Sequence, residues 1–170
     1  RFLASAFAAG PAILLLLAFF VRRISTFDPG KQAIDTLAKI VTYAMTVNVF
    51  FVLMEVFTAL YSDIPEHVHH FQFLFTGLEG ENMLAPWMWV SSILAIVSLV
   101  VLINPKTRSN YGWLKFGCVA VVGSLWIDKG LGMVIAGFVP NPLGKVVHYS
   151  PTAPELMISL SIYAVGALIL

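Results

Sequence analysis

Long apolar runs recur along this chain, and they constrain its fold more than any other feature. The hydrocarbon core of a bilayer is about 30 Å thick, and an α-helix needs roughly 20 apolar residues to cross it. Polar segments separate the runs, each of which reaches or approaches that length. The sequence therefore predicts an all-α, polytopic transmembrane helix bundle with about five spans. We place the spans at residues 2–21, 40–61, 84–103, 111–127 and 156–170.

The composition excludes a soluble fold. Only 11% of the 170 residues are charged and 59% are hydrophobic, whereas a soluble domain carries roughly 25% charged residues. A domain of this size has too little interior to hide so many apolar side chains from water. The formal net charge of +1 leaves no basic tract, so we expect membrane lipid as a partner and no nucleic acid.

Ligands for redox metals are scarce in the sequence. Cys118 is the single cysteine, so an iron–sulfur cluster cannot be ligated by thiolates of this chain alone. No pair of histidines lies at helix depth on two different predicted spans, so we expect no haem ligated by this chain either. Any cluster chemistry would have to come from a partner subunit.

Two regions do not form a complete predicted span. Residues 130–144 begin with ten apolar residues rich in glycine, too few to cross a bilayer as a helix, and end in a proline turn. We predict an interfacial or re-entrant segment there.

The chain starts at Arg1 directly before an apolar run and stops at Leu170 within another. We therefore expect a fragment of a longer protein, with 1–170 forming a single transmembrane domain.

The charges of the connecting segments alternate in sign. Basic residues follow the first and third spans, whereas the connection after the second span has acidic residues and neither Lys nor Arg. The positive-inside rule places basic loops in the cytoplasm. We therefore predict a multi-pass protein of a bacterial or archaeal cytoplasmic membrane, with the acidic, histidine-rich loops outside. The basic residues are Arg22, Arg23, Lys31, Lys39, Lys106, Arg108 and Lys115.

Glu55 is the one carboxylate within a predicted span. An ionisable group at such depth costs about 2.5–3.5 kcal/mol on insertion scales and commonly marks function. Asn48, Thr58 and Ser62 share a helical stripe with it at 3.6 residues per turn. We expect this stripe to face the bundle interior, with Glu55 accepting protons or contacting a quinone. A hydrogen-bonded clamp between helices is the alternative.

Three histidines and two carboxylates gather at residues 62–70, just after the second span. His67, His69 and His70 carry the side chain that titrates near neutral pH. They indicate a proton exit to the outer compartment or a docking surface for a partner subunit. A solvated polar loop is the alternative, and the spacing alone is weak support for a metal site, so we predict none.

Two further groups of residues lie at the predicted outer face of the membrane, on the same side as the histidines. Trp87 and Trp89 open the third span, either as part of an interfacial aromatic belt or as one wall of a flat quinone pocket. Asp128 and Lys129 end the fourth span, and His148 lies beyond the proline turn. Asp128 and Lys129 form either a locally neutralised interfacial pair or, with other polar groups, a network that handles protons or contacts a partner.

Four motifs give the chain a resemblance to a known family. The chain resembles the NrfD/PsrC family of membrane subunits over nearly its whole length, most closely the DsrP and HmcC type found in membrane complexes of sulfate reducers. The most specific element is the helix end Trp126-Ile-Asp-Lys-Gly130 with the turn that follows it at 137–144. The others are Glu55-Val-Phe-Thr-Ala-Leu-Tyr61, LFTGLEG at 74–80 and Leu84-Ala-Pro-Trp-Met-Trp89.

The resemblance implies a haem-free subunit of a respiratory complex in sulfur metabolism. Such a subunit exchanges electrons between menaquinone or menaquinol and a periplasmic iron–sulfur protein, beside other membrane and cytochrome subunits. The chain would be the C-terminal half, with menaquinone bound largely by the other half, and part of a quinol-reactive oxidoreductase rather than a stand-alone enzyme. A passive anchor for catalytic subunits and a proton-coupled transporter are the alternatives.

The resemblance and the residues together give one set of candidate positions. Glu55 and Asp128 are the candidate catalytic residues. The candidate quinone or proton pathway comprises Asn48, Glu55, Thr58, His67, His69, His70, Trp87, Trp89, Lys129 and His148.

Overall fold

A computed structural model describes residues 2–26, 28–62, 65–77, 82, 84–135 and 152–169 of the protein. This described part consists of helices joined by short turns, which confirms the predicted all-α class. The helices are α1 (Phe2–Ile24), α2 (Lys31–Ser62), α3 (Pro65–Phe75), α4 (Ala85–Ile103), α5 (Pro105–Arg108), α6 (Tyr111–Ile127), a π-helical segment (Asp128–Ile135) that we call the π segment, and α7 (Ala153–Ile169).

Four helical stretches of the described residues are long and apolar enough to cross a membrane. They are α1, α2, α4 and the continuous stretch of α6 and the π segment up to Met133. Helix α7 is a shorter apolar helix of 17 residues in the described part of the chain, and the predicted span at 156–170 stays a prediction. Helix α7 belongs to a second compact unit, 139–170, whereas the other helices belong to the unit 1–138.

Helix α2 begins before the span that the sequence predicts. It starts at Lys31, nine residues ahead of residue 40, and has 32 residues in all. Its first turns carry charges on the outside, while Ile34 and Ala38 are fully buried against the other helices. Hydropathy detects the part of a helix suited to lipid, whereas the helix itself continues as long as one face packs.

The helix of the fourth predicted span does not end at residue 127. The backbone N–H of Asp128 donates to the carbonyls of both Ser124 and Leu125, and π-helical turns follow up to Ile135. The glycines at 130 and 132 are therefore accommodated inside a helix instead of ending it. The rest of the predicted interfacial segment 130–144 lies outside the described residues, and its membrane position stays a prediction.

The four long helices of the first unit form a ring. Helix α1 packs on α2 and α6, and α4 packs on the same two helices from the other side. The ring encloses an apolar core in which large side chains from all four helices have no exposed surface. These are Leu15, Met45, Leu102, Leu114 and Val121.

Small side chains let these helices approach each other closely, as is common where helices pack without water. Ala8, Ala12 and Ala38 are fully buried between α1 and α2. Between α4 and α6, a Cβ added at Gly117 would lie 3.3 Å from side-chain atoms of both Val101 and Leu102. The close approach of α4 and α6 therefore depends on Gly117, which has no side chain.

One end of the ring is fastened by cations stacked on aromatic rings. The Arg22 guanidinium lies 5.5 Å from the centroid of the Tyr111 ring, and the Lys115 ammonium lies 4.9 Å from that of Phe19. The two rings are themselves 5.5 Å apart. Basic residues of α1 and α6 thus meet at this end, which we call the basic end.

Substitution of two glycines on α6 tests the close packing of α4 and α6. Gly123→Ala meets only Leu94, at 3.9 Å, and should gain up to about 1 kcal/mol of helix propensity. Gly117→Ala must displace the fully buried Leu102, so we expect it to be less stable than Gly123→Ala by about 1–2 kcal/mol. Unfolding of both variants in detergent measures the difference, and equal stabilities would contradict the packing described.

Candidate functional site

A cavity of about 470 Å³ lies at the end of the ring opposite the basic end. Residues of α1, α2, α3, α4, α6 and the π segment line it, and its volume falls in the range of about 300–1,000 Å³ typical of small-molecule sites. Most of the lining is apolar, including the phenyl rings of Phe2, Phe71 and Phe75. The polar lining residues are Asn48, Glu55, Ser91, Ser92, Ser124, Asp128 and Lys129.

Asn48 is the most deeply buried of the predicted site residues that the structure describes. Its side chain on α2 is only 3% exposed, and its Oδ1 atom accepts no hydrogen bond from any described residue. A buried acceptor left in this state costs about 1–3 kcal/mol. Asn48 is one of the residues that line the cavity.

Serine hydroxyls surround the cavity where α4 meets α6. Ser91 Oγ donates to the Ser124 carbonyl at 2.8 Å, which joins the two helices four residues before Asp128. Ser92 Oγ donates to the Met88 carbonyl at 2.9 Å, and Ser124 Oγ to the Val121 carbonyl at 3.1 Å. Helix α6 therefore changes to the π segment close to the hydrogen bond that joins it to α4.

Asp128 and Lys129 form an ion pair in the first turn of the π segment. Lys129 Nζ lies 3.3 Å from Asp128 Oδ2, with the two side chains 19% and 13% exposed. Both residues line the same cavity as Glu55. The two interpretations made from the sequence are thus compatible, because a locally neutralised pair also contributes to a polar network.

Gly132 holds the π segment against α4. A Cβ at this position would lie 3.0 Å from Met88 Sδ and 3.9 Å from Asp128 Oδ1. Met88 is itself buried, with 4% exposure. A larger residue would require the Met88 side chain to shift, so the glycine lets the π segment lie close to α4 on the side of the cavity that carries Asp128.

The polar stripe predicted on α2 divides in the structure. Asn48 is buried, whereas Glu55, Thr58 and Ser62 are all exposed. Of these three, only Glu55 is among the residues that line the cavity, and Thr58 and Ser62 donate to carbonyls of their own helix. At roughly 100° per residue, Thr58 lies about 60° further round the helix than Glu55. That rotation carries it away from the packed face, which continues through Val56 and Ala59.

The tryptophans of α4 do not line the cavity. Trp87 and Trp89 are 52% and 56% exposed and are not among the residues lining this cavity. The aromatic-belt and pocket-wall interpretations both stay predictions. Trp89 instead donates from Nε1 to the Phe75 carbonyl at 3.1 Å, with its ring edge-on to Phe75. It fastens α3 to α4.

The aromatic wall comes from α3, which the sequence analysis did not recognise as a helix. Phe71 and Phe75 line the cavity with nearly parallel rings, inclined by 10° at a centroid distance of 6.5 Å. With Leu74 they form the i, i+3, i+4 pattern of one helix face. Gly77, at φ 84° and donating to the Gln72 carbonyl, ends the helix.

The predicted histidines stay predictions. His67, His69 and His70 lie within α3, so this segment is a helix in the structure. Their side chains, and the whole of His148, lie outside the part of the chain that the structure describes. The proton-exit and docking hypotheses for residues 62–70 therefore remain as stated from the sequence.

The fold and the cavity together define a multi-pass helical membrane protein with a charged and polar site at one end of its bundle. The profile of the polysulphide reductase NrfD family matches residues 1–138, which include every residue that lines the cavity. The chain belongs to this family. The resemblance stated from the motifs is thus confirmed for the family, while the DsrP and HmcC type stays a prediction.

Family membership sets the coarse role of the chain. Proteins of this family are membrane subunits of polysulphide- and quinone-related reductase complexes and assemble with other subunits. The chain is therefore a membrane subunit of a redox complex in this coarse sense. No curated protein matches the chain.

Removal of one partner tests whether the charges of Asp128 and Lys129 affect the stability of the protein as a pair. Lys129→Met leaves a mostly buried carboxylate without its ammonium, and we expect a loss of about 3 kcal/mol in stability. The double variant Asp128→Asn, Lys129→Met removes both charges and should recover most of that loss. Thermal unfolding of the three proteins measures the coupling, and purely additive effects would contradict the pairing.

Proposed function

We propose that this chain is a quinone-reactive subunit of a respiratory redox complex in a bacterial or archaeal cytoplasmic membrane. It exchanges electrons between menaquinone or menaquinol and a periplasmic iron–sulfur partner. The observation that carries the proposal is the single cavity in which Asn48, Glu55 and the Asp128–Lys129 pair converge beside stacked phenyl rings. Menaquinone would be the substrate of this subunit, entering and leaving the cavity through lipid.

The dimensions and walls of the cavity suit a flat, two-ringed headgroup. Its volume of about 470 Å³ leaves room for such a ring system. Phe71 and Phe75 offer aromatic surface, and aromatic rings favour stacked or edge-on contacts with one another. Buried Asn48 offers a hydrogen-bond partner to a ring oxygen.

The cavity also has an apolar opening suited to an isoprenoid tail. Three of its lining residues are strongly exposed: Leu53 at 63%, Ile96 at 59% and Met133 at 47%. They belong to α2, α4 and the π segment, so the opening lies between helices and not along the bundle axis. Lipid is the natural source of a ligand that enters by this route.

Oxidation of a quinol releases two electrons and two protons, and the charged lining supplies groups for the protons. Glu55 lies on the exposed side of α2 within the cavity lining. Asp128 lies deeper, beside Lys129. Glu55 is thus placed to accept a proton and pass it outward, while Asp128 and Lys129 orient the ring.

The electrons would leave through clusters of the partner. Among the described residues, no group of three or more His, Cys, Asp or Glu side chains is arranged to hold a metal ion. Helix α3, with its three histidines, forms part of the same end of the bundle as the cavity. A periplasmic iron–sulfur subunit docked there would lie close to the bound ring.

Neutralisation of the two carboxylates tests the function. In the intact complex we expect Glu55→Gln to slow menaquinol oxidation by about a hundredfold, the effect of losing a positioned proton acceptor, and Asp128→Asn to slow it as well. Asp35→Asn is the matched control, because it makes the same change on α2 roughly 30 Å away along the helix. Steady-state menaquinol oxidation measures all three.

The rival functions give different results in the same experiment. A passive anchor would retain full menaquinol oxidation in both variants, and that result would refute the proposal. A proton-coupled transporter would lose substrate uptake or proton flux in Glu55→Gln while quinol oxidation continued. Subunit stoichiometry of each purified variant complex shows that any loss of rate is not a loss of assembly.

A further inference from the structure

We propose that Trp89 is a positioning residue for the cavity, which holds helix α3 so that Phe71 and Phe75 form the aromatic side of the site. The inference rests on the proposed function, because the ligand concerned is the quinone of that proposal. Trp89 is not among the residues that line the cavity, and it acts through Phe75. It therefore controls the affinity of the cavity without taking part in the chemistry.

Helix α3 is held to the rest of the bundle by a small apolar cluster. Of its side chains that the structure describes, only Leu74 is buried. This leucine clusters with Met88 of α4, apart from the core of the ring, and Phe73 and Phe75 pack against the two while staying partly exposed. Segments with few buried apolar contacts open at a low cost in free energy. The position of α3 therefore depends on each further contact made to it.

The C-terminal end of α3 has a backbone acceptor that its own helix cannot serve. Phe75 is the last residue of α3, and the last four carbonyls of a helix have no donor within it. At this end the Gln72 carbonyl accepts from the backbone N–H groups of Thr76 and Gly77, both at 2.8 Å. Gly77 then turns the chain out of the helix, with φ at 84°. The Phe75 carbonyl therefore needs a donor from outside α3.

Trp89 supplies a donor from the neighbouring helix. Its Nε1 atom donates to the Phe75 carbonyl at 3.1 Å, and the direction of this bond is certain because an indole N–H can only donate. The two rings also meet edge to face, with 5.7 Å between their centroids and an interplanar angle of 82°. Aromatic pairs favour this arrangement. One side chain of α4 thus holds both the backbone and the ring of Phe75.

The contact with Phe75 also determines where the second phenyl ring lies. Phe71 precedes Phe75 by one helical turn, and the two rings are inclined by only 10° at a centroid distance of 6.5 Å. Both residues line the cavity. Because they share one short helix, a shift or rotation of its C-terminal end moves the two rings together. Trp89 therefore fixes the position of the whole aromatic wall relative to α4.

The charged groups of the site lie on other elements than this wall. Glu55 belongs to α2, and Asp128 and Lys129 belong to the π segment. The aromatic wall holds the ring of the ligand before and during the reaction alike. An interaction of equal strength in both states alters KM and leaves kcat nearly unchanged. Loss of the Trp89 contact should therefore raise KM, whereas loss of a proton acceptor at Glu55 should lower kcat.

The experiment measures two Trp89 variants of the intact complex by steady-state menaquinol oxidation and by equilibrium binding of 2,3-dimethyl-1,4-naphthoquinone. Trp89→Phe keeps an aromatic ring but loses the N–H group. We expect it to raise the Kd of the naphthoquinone and the KM of menaquinol about threefold, the effect of one surface hydrogen bond. Trp89→Leu also loses the ring contact and should raise both about tenfold. The kcat should stay within about twofold of the unaltered complex in both variants.

Trp113 offers a matched control at the basic end of α6. It is 52% exposed, and its ring is edge-on to Phe116 at 6.2 Å and 90°, but it lies outside the cavity lining. Trp113→Phe and Trp113→Leu make the same changes and should leave Kd and KM unaltered. Amide hydrogen exchange reports on α3 without any ligand. Exchange in residues 65–77 should become about threefold faster in Trp89→Phe and stay unchanged in Trp113→Phe.

A double-mutant cycle tests whether Trp89 acts through the ring of Phe75. Once Phe75→Leu has removed that ring, the further change Trp89→Phe should raise Kd by clearly less than it does alone. Fully additive effects of the two substitutions would overturn the proposed route. If Trp89→Leu does not assemble, Trp89→Phe and this cycle carry the test.

The outcomes separate this inference from the proposed function. Unchanged Kd and KM in the Trp89 variants would overturn the positioning role, and so would a fall in kcat at constant KM. Neither result touches the proposed function if Glu55→Gln still slows menaquinol oxidation. The proposed function fails on a different observation, which is full menaquinol oxidation in both carboxylate variants.

Discussion

A polar group within an apolar bundle must find its partner inside the protein, and this constraint organises the structure. Hydroxyls in the packed helices turn back to carbonyls, as those of Thr42, Ser98 and Ser124 do. Each such bond satisfies a group that neither lipid nor the core could hydrate. Asn48 is the exception among the buried polar side chains described, and it lies in the wall of the cavity. The buried Oδ1 atom of Asn48 thus lacks the hydrogen bond that these hydroxyls have, at a residue that lines the cavity.

The geometry of the cavity follows from the way α6 ends. The widened turns of the π segment start where Ser91 of α4 already bonds the Ser124 carbonyl, and they direct Asp128 and Lys129 to the cavity. Wide turns of this type are frequent at functional sites. Gly132 then brings the π segment against Met88. The Asp128–Lys129 pair, the widened turns of the π segment and the close packing at Gly132 therefore all occur at one place, beside the cavity.

Hydropathy and spacing predicted the helical class, because lipid demands long apolar helices, whereas the family was indicated by the resemblance of four motifs. They also identified Asn48, Glu55, Asp128 and Lys129, which the structure brings to one cavity. They did not identify Phe71 and Phe75. Beside three histidines, this i, i+4 pair resembles part of a polar loop, because the sequence does not show the helix against which it packs. Nor did they identify the hydrogen bond of Trp89, because its acceptor is a carbonyl fourteen residues away, a contact that only tertiary packing defines.

The charge of the cavity bears on which substrate of a polysulphide reductase complex this subunit meets. Its charged lining consists of two carboxylates and one ammonium, and that ammonium is paired with one of the carboxylates. Among the described residues, the lining thus offers one cation, already paired, within a mostly apolar wall. Removal of water from an anion costs more free energy than removal of water from a neutral ring of similar size. The described lining therefore suits a neutral, flat ligand better than an anionic polysulphide chain.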